Sequence, residues 1–308
     1  MKISVVVPSY NEESNVPLLA SQLKEALSPL CDFEIIFVDD GSTDNTLQQL
    51  KELNDQDKRF RFVSFSRNFG HQHALRCGMD YAQGDCVISM DADLQHPVEL
   101  VPEMISKWKE GYDVVYTQRI DEARITFFKK LTSGLFYRLM NWLSDVELEE
   151  GTADFRLMDK RATNVIRNAH EPNLFIRGFV SWMGFKQYKL TYKAAPRHSG
   201  KSKYSIRKMI GFALNGITSF SIKPLRFSII AGLLISLFAF AYSMYAIVLY
   251  LFYPEKAVAG WASVLVSVLF MGGIQLLFLG VIGEYLGKLF LQSKNRPHYI
   301  VQACSSNE

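Results

Sequence analysis

Charge is missing from two long stretches of this 308-residue sequence. Phe227 to Tyr253 and Ala257 to Gly283 each run 27 positions without a charged residue. At ~1.5 Å rise per residue either run reaches about 40 Å as a helix, enough to cross a hydrocarbon layer of roughly 30 Å with tilt. The alternative, a pair of buried core helices, needs a soluble domain able to hide both. Cysteine is scarce: Cys31, Cys77, Cys86 and Cys304 form no CxxC pair and no zinc-like spacing. That argues against a disulfide framework and fits a reducing compartment. Cys86 lies in an apolar run and is expected to be a small core residue. Neither sign of charge dominates, since 34 basic and 31 acidic residues leave +3, so no bulk field points to nucleic acid. No apolar leader stands before the first strand, because Met1-Lys2-Ile3-Ser4-Val5 enters it directly, and no signal peptide is expected. Repeats and low-complexity tracts are also absent.

What is present over the first 200 residues is an alternation of strands and helices. The apolar runs ISVVVPS, FEIIFVDD, FRFVSFS, DCVISMDAD and DVVYTQR predict strands. Between them, 15–27, 43–53, 70–82 and 97–109 carry helical spacing. Such alternation predicts an α/β fold with a doubly wound, mostly parallel sheet. The expected organisation is a soluble domain over 1–200, an amphipathic interface helix over 201–224, a transmembrane hairpin over 225–292 and a tail over 293–308, loosely ordered after Pro297. Ile206, Met209, Ile210, Ala213, Ile217 and Phe220 recur at helical spacing beside Arg207 and Lys208, which suits a membrane surface or, alternatively, a core-packing helix. Lys201, Lys203, Arg207, Lys208, Lys223 and Arg226 precede the first apolar run, and Lys288, Lys294 and Arg296 follow the second. The connection between the runs holds Lys256 alone, so both termini and the soluble domain are expected in the cytoplasm, with the hairpin in the inner (plasma) membrane.

In a doubly wound sheet, ligands sit where the strands end. The polar clusters fall at those ends: Pro8-Ser9-Tyr10-Asn11-Glu12, Asp39-Asp40-Gly41-Ser42, Ser66-Arg67-Asn68 and Asp91-Ala92-Asp93. Two carboxylates separated by one residue stand about 6–7 Å apart along an extended backbone. Alone, an Asp-x-Asp pair also occurs as a turn or helix cap. Joined to a second acidic strand end, it suits Mg2+ or Mn2+ held by one or two carboxylates plus substrate phosphates. His71, His73 and His96 lack a further ligand at zinc-like spacing and are given no metal role.

The segments VVVPSYNEE, VDDGSTDNT, SRNFGHQHAL and MDADLQHPVE together resemble glycosyltransferase family 2, with its GT-A nucleotide-sugar fold. The later DFRLMDKRA and GKSKYS stretches and the apolar hairpin narrow the resemblance to polyprenyl-phosphate glycosyltransferases, the group of bactoprenol glucosyltransferases and dolichol-phosphate-mannose-synthase-like enzymes. It covers essentially residues 3–295. The resemblance implies that Pro8, Tyr10, Glu12 and Asp40 contact the donor nucleoside. It implies further that Asp91 and Asp93 hold the metal and diphosphate, with Gln95 near the sugar or the metal shell. Asp154 and Arg156 would lie beside the acceptor phosphate and sugar. Arg119, Arg177, Arg197 and Lys203 would be phosphate ligands or, failing that, solvated surface charges. Asp93, Asp154 and Arg156 are therefore the expected catalytic residues. Asp154 is assigned to positioning rather than general base, because a phosphomonoester with a second pKa near ~6 is already mostly ionised at neutral pH.

The implied reaction is inverting transfer of a hexose, glucose from UDP-glucose on the nearest resemblance, to undecaprenyl phosphate for cell-surface glycan modification. GDP-mannose, UDP-galactose and an aminosugar donor stay open. A processive polysaccharide synthase is disfavoured by the lack of a QxxRW element and of further spans. A membrane-tethered nucleotide-sugar sensor is the non-catalytic alternative, and a phosphoacceptor signalling domain would explain only Asp39-Asp40. Association of copies in the membrane is compatible with two spans that bury little against each other.

Overall fold

The computed structural model describes residues 1–120, 151–171, 175–193, 218, 221–252 and 260–305. It divides into two units. Among the described residues, the first holds those up to Lys193 and from Asn295 onward; the second holds Thr218 and the residues from Ser221 to Lys294.

The first unit begins β1 (Lys2–Ser9), α1 (Val16–Leu27), β2 (Asp32–Asp39), α2 (Thr46–Gln56), β3 (Phe60–Phe65), α3 (His71–Tyr81) and β4 (Cys86–Ser89). A 3-10 turn at Val98–Leu100 leads into α4 (Val101–Lys109), then β5 (Val114–Arg119), β6 (Thr152–Asp159), α5 (Lys160–Arg167), α6 (Ile176–Trp182) and β7 (Gln187–Tyr192). β8 (Val301–Cys304) completes an eight-stranded sheet ordered β7-β5-β6-β4-β1-β2-β3-β8. β1 and β2 run parallel in register from Lys2 opposite Asp32 to Ser9 opposite Asp39, and β3, β4 extend that parallel core. Ile3, Val5, Val6, Val7, Ile35, Ile36 and Phe37 are fully buried, as expected for parallel strands covered on both faces. β6 lies antiparallel to both β4 and β5, and β8 antiparallel to β3.

The sheet is therefore mixed, with the expected parallel half intact. β6 escaped the sequence pattern because Asp154 and Arg156 interrupt its apolar run while sitting in a strand buried on both faces. The expectation of a loose tail fails for Val301–Cys304, which forms the edge strand β8. Nothing apolar and periodic announces so short a strand; its partner β3 supplies the order.

Close packing fixes α3 on the sheet. A Cβ on Gly78 would stand 2.1 Å from Val6 Cγ1, so only a glycine lets the helix approach β1 this closely. The second unit contains α7 (Lys223–Phe252) and α8 (Trp261–Ser293), two helices long and apolar enough to cross a membrane. Within it, Tyr285 donates its hydroxyl proton to the Ser221 carbonyl at 2.7 Å, and Lys288 bonds the Thr218 hydroxyl. The expected interface helix, apart from Thr218 and residues 221–224, and the basic residues Arg197 and Lys203 lie outside the described residues; Lys223 and Pro224 open α7 instead.

Candidate active site

The carboxyl ends of β1, β2, β4, β5 and β7 share one edge of the sheet, and antiparallel β6 brings its start to the same edge. Asp91 and Asp93 follow β4. Asp154 and Arg156 sit on β6, with Arg156 opposite Ser89. Arg119 and Tyr192 end β5 and β7 as a register pair. The topology thus collects charges from remote parts of the chain.

The Asp91–Gln95 turn is held from within. The Asp91 N–H donates to His96 Nδ1 at 3.0 Å, and the His96 ring, buried, stacks on Phe155 at 5.1 Å. Gln95 N–H donates to Asp93 Oδ1 at 3.2 Å. Leu94 adopts φ +60°, a conformation that costs a non-glycine residue about 1–3 kcal/mol and tends to mark functional sites. Asn11, between Tyr10 and Glu12, has φ +57°, so both acidic loops bend through the left-handed region. Arg119 Nη1 reaches Gln95 Oε1 at 3.4 Å.

Asp154 is paired on both of its oxygens. It is 4% exposed and receives Arg177 Nε at 2.8 Å and Nη2 at 2.7 Å in a bidentate pair. Arg156 Nη2 and His71 Nε2 each stand 3.4 Å from it. Burial opposes ionisation, but the two arginines and the histidine more than offset this and hold the carboxyl well below its usual range. Burial lowers the Arg156 guanidinium to about 10, partly offset by Asp154. His71 Nε2 also lies 3.4 Å from Asp91 Oδ1, so one imidazole spans the two acids. Dehydration alone would depress that imidazole; the bond to Asp154 and the charge of Asp91 raise it overall.

Two buried side-chain polar atoms among the described residues lack a hydrogen-bond partner: Asp91 Oδ1, an acceptor with only the His71 ion pair at 3.4 Å, and Arg156 Nε, a donor. Leaving such an atom unpaired costs on the order of 1–3 kcal/mol. Both belong to this edge. One is fit to receive a cation, the other an anionic oxygen.

The loops after β1 and β2 are more structural. Asp40, 4% exposed, accepts Phe69 N–H at 2.7 Å and Gly70 N–H at 2.9 Å, and burial raises its carboxyl. Asp39 accepts from Ser42 N–H and the Ser64 hydroxyl. Gly41 at φ +69° lets this turn lie on Arg67, where a Cβ would meet the Arg67 carbonyl carbon at 2.5 Å. Pro8 is buried in β1, whereas Tyr10 is 45% exposed beyond its end. Burial raises the Glu12 carboxyl, and Asp93 and Asp91 lie near enough to raise it further.

Asp91, Asp93, Gln95, Arg119, Asp154, Arg156, Arg177 and Glu12 are brought together; Pro8 and Asp40 support the adjoining loops. Sequence reasoning missed three neighbours. His71 and His96 were weighed only as zinc ligands. Tyr192 carried no motif, yet burial pushes its phenol up to about 12 while Arg119, Asp91 and Asp93 act on it electrostatically.

The Glycosyl transferase family 2 profile matches residues 4–177. An uncharacterized Bacillus subtilis glycosyltransferase, YkcC, is 46% identical over 98% of this chain and 94% of its own. The bactoprenol glucosyl transferase of Shigella phage SfV is 41% identical over 98% of both chains. Among solved structures, the Pyrobaculum calidifontis mannosyltransferase PcManGT, in complex with GDP-Man and Mn2+, superposes with a TM-score of 0.51 at 17% identity, covering 73% of this chain and 64% of that one.

Proposed function

From a chain that belongs to glycosyl transferase family 2 and is a glycosyltransferase, we infer transfer of a hexose from a nucleoside diphosphate sugar to a polyprenyl phosphate, with UDP-glucose and undecaprenyl phosphate as donor and acceptor. The observation that carries this reading is a pair of buried atoms without a hydrogen bond on one sheet edge, Asp91 Oδ1, which has the His71 imidazole 3.4 Å away, and Arg156 Nε. A sugar diphosphate with its counter-ion, beside a second phosphate, presents matching partners. The name of the phage relative, a bactoprenol glucosyl transferase, supports the same lipid acceptor and sugar.

Asp91 and Asp93 would hold Mg2+ or Mn2+, whose other ligands would come from donor phosphates; two carboxylates, one with an oxygen that accepts no hydrogen bond, suit a hard cation. Bound there, the ion supplies charge neutralisation for the departing diphosphate. The exposed Tyr10 and the Asp39–Ser42 turn shape the nucleoside side, with Asp40 fixing the loop beside it. Arg119 holds Gln95 toward the sugar. Arg156 and Arg177 face the acceptor phosphate, and Asp154 keeps both guanidiniums in place. A carboxylate held well below its usual range is a weak proton acceptor, which supports positioning over general base for Asp154. An oxygen of the lipid phosphate attacks the anomeric carbon as the bond to the diphosphate breaks. The electron pair leaves with the diphosphate, and the anomeric centre inverts. Alignment of the two phosphates provides most of the acceleration. Arg197 and Lys203, just before the apolar helices in sequence, are proposed to meet the lipid phosphate as it enters.

β8 pairs in the same sheet as β1 yet follows α8 in the chain. That supports an even number of crossings between β7 and β8, with α7 and α8 as two spans and the sheet on the cytoplasmic side where basic residues flank them. Purified protein with undecaprenyl phosphate and a panel of radiolabelled nucleotide sugars tests the reading. It predicts lipid-soluble label from UDP-glucose, abolished by chelator. Label from GDP-mannose instead would correct the donor, and label from no donor would overturn the reaction.

A further inference from the structure

The segment that follows α8 grips α3 at both ends. Its β8 strand pairs with β3, Val63 opposite Cys304 and Ser64 opposite Ala303. The Ile300 carbonyl accepts Ser66 N–H at 3.0 Å, while Ser305 donates its N–H to the Phe62 carbonyl at 2.9 Å and its hydroxyl accepts Phe62 N–H at 3.1 Å. Tyr299 stacks on Phe65, centroids 5.1 Å apart and planes 14° apart, and Phe65 meets Phe69 edge-on at 5.6 Å. The Tyr299 hydroxyl donates to Asp80 Oδ2 at 2.9 Å, in the last turn of α3. His298 stacks on His73 in the first turn, centroids 6.2 Å apart.

The first residue of α3 is His71, which spans Asp91 and Asp154 at 3.4 Å to each. Asp40 holds the preceding backbone through Phe69 and Gly70. A shift of α3 by about an ångström would break the His71 bridge, and misplacements of that size can cost ~100-fold in rate.

We propose that residues 298–305 are a positioning strap: Tyr299 and His298 fix α3 so that His71 keeps Asp91 and Asp154 at their working separation. The proposal rests on the assignment of Asp91 to the donor pocket. It makes completion of the pocket depend on the chain having passed through α7 and α8 and returned to the sheet.

The test uses the full chain in detergent, as Tyr299→Ala, as Tyr299→Phe, which keeps the ring but loses the bond to Asp80, and as Ile300→Ala, a control whose side chain is 52% exposed. Three readouts are taken: amide hydrogen exchange at 69–75, Mn2+ binding with UDP by electron paramagnetic resonance, and kcat with KM for UDP-glucose. Tyr299→Ala is expected to speed exchange at 69–75 with β1 and β2 still protected, weaken Mn2+ binding, and lower kcat about tenfold or more with a smaller change in KM. Tyr299→Phe should move the same readouts less, and Ile300→Ala should match wild type. Unchanged exchange at 69–75 in Tyr299→Ala overturns the strap, as does lost activity accompanied by general loss of protection in β1 and β2. If wild type transfers no sugar, the reaction fails, while exchange at 69–75 still decides the strap.

Discussion

Single residues decide the chemistry of the strand-end edge, and they divide by what surrounds them. Asp91 and Arg156 each keep a buried atom without a hydrogen bond, whereas Asp154 is saturated by Arg177, Arg156 and His71. The Asp-x-Asp pair was legible in the sequence because an apolar strand runs straight into it. Tyr192 and His71 were not, since their roles arise only when β7 and α3 are laid beside β4 and β6. Removing Arg177 should leave a buried carboxylate with weaker partners. Breaking a fully buried pair costs about 3–5 kcal/mol, and Arg177 is one-third exposed, so Arg177→Met should cost about 2–3 kcal/mol in denaturant unfolding. The folded Asp154 carboxyl lies below its usual value near ~4, so its contribution is complete above that pH and is lost as pH falls through the folded value. The stability gap between wild type and Arg177→Met should therefore hold steady from neutral pH down to about 5 and narrow below about 4. A gap that widens in acid would contradict the pairing.

Among the elements, β1 to β5 were readable from buried apolar runs and α1 to α4 from their spacing, while the short α5 and α6 were not. β6, β7 and β8 were not: β6 carries the charges of the site inside a strand, β7 is a half-exposed edge strand, and β8 is four residues long and borrows its order from β3. α3 shows how an element's packing serves the site at its end. It lies against β1 at Gly78, closer than any side chain permits. Gly78→Ala should destabilise the protein by about 1–3 kcal/mol through overpacking against Val6. In a double-mutant cycle, Val6→Ala should recover part of that loss, giving a coupling of about 0.5 kcal/mol or more. Strict additivity would show that the helix simply moves away.

At the scale of the whole molecule, one sheet edge gathers charged residues from β5, β6, α6 and the end of β4, with Tyr192 of β7 beside them, and the sheet's edge strand β8 is drawn from beyond the apolar helices. The apolar runs were plain in the sequence; the return of the chain into the sheet was not, because edge pairing leaves no periodic trace. If both helices span the membrane, the short connection between them faces outward. Lys256→Cys should then react with an impermeant maleimide on intact cells, while wild-type Cys304 should react only after lysis. The central claim is that the Asp91–Asp93 edge transfers sugar to a lipid phosphate. Its most direct measurement is the transfer of labelled glucose from UDP-glucose to undecaprenyl phosphate by purified wild type and by Asp93→Ala, with folding of both checked by circular dichroism. The prediction is a chelator-sensitive lipid product from wild type and none from a fully folded Asp93→Ala. Equal product from both proteins would contradict it.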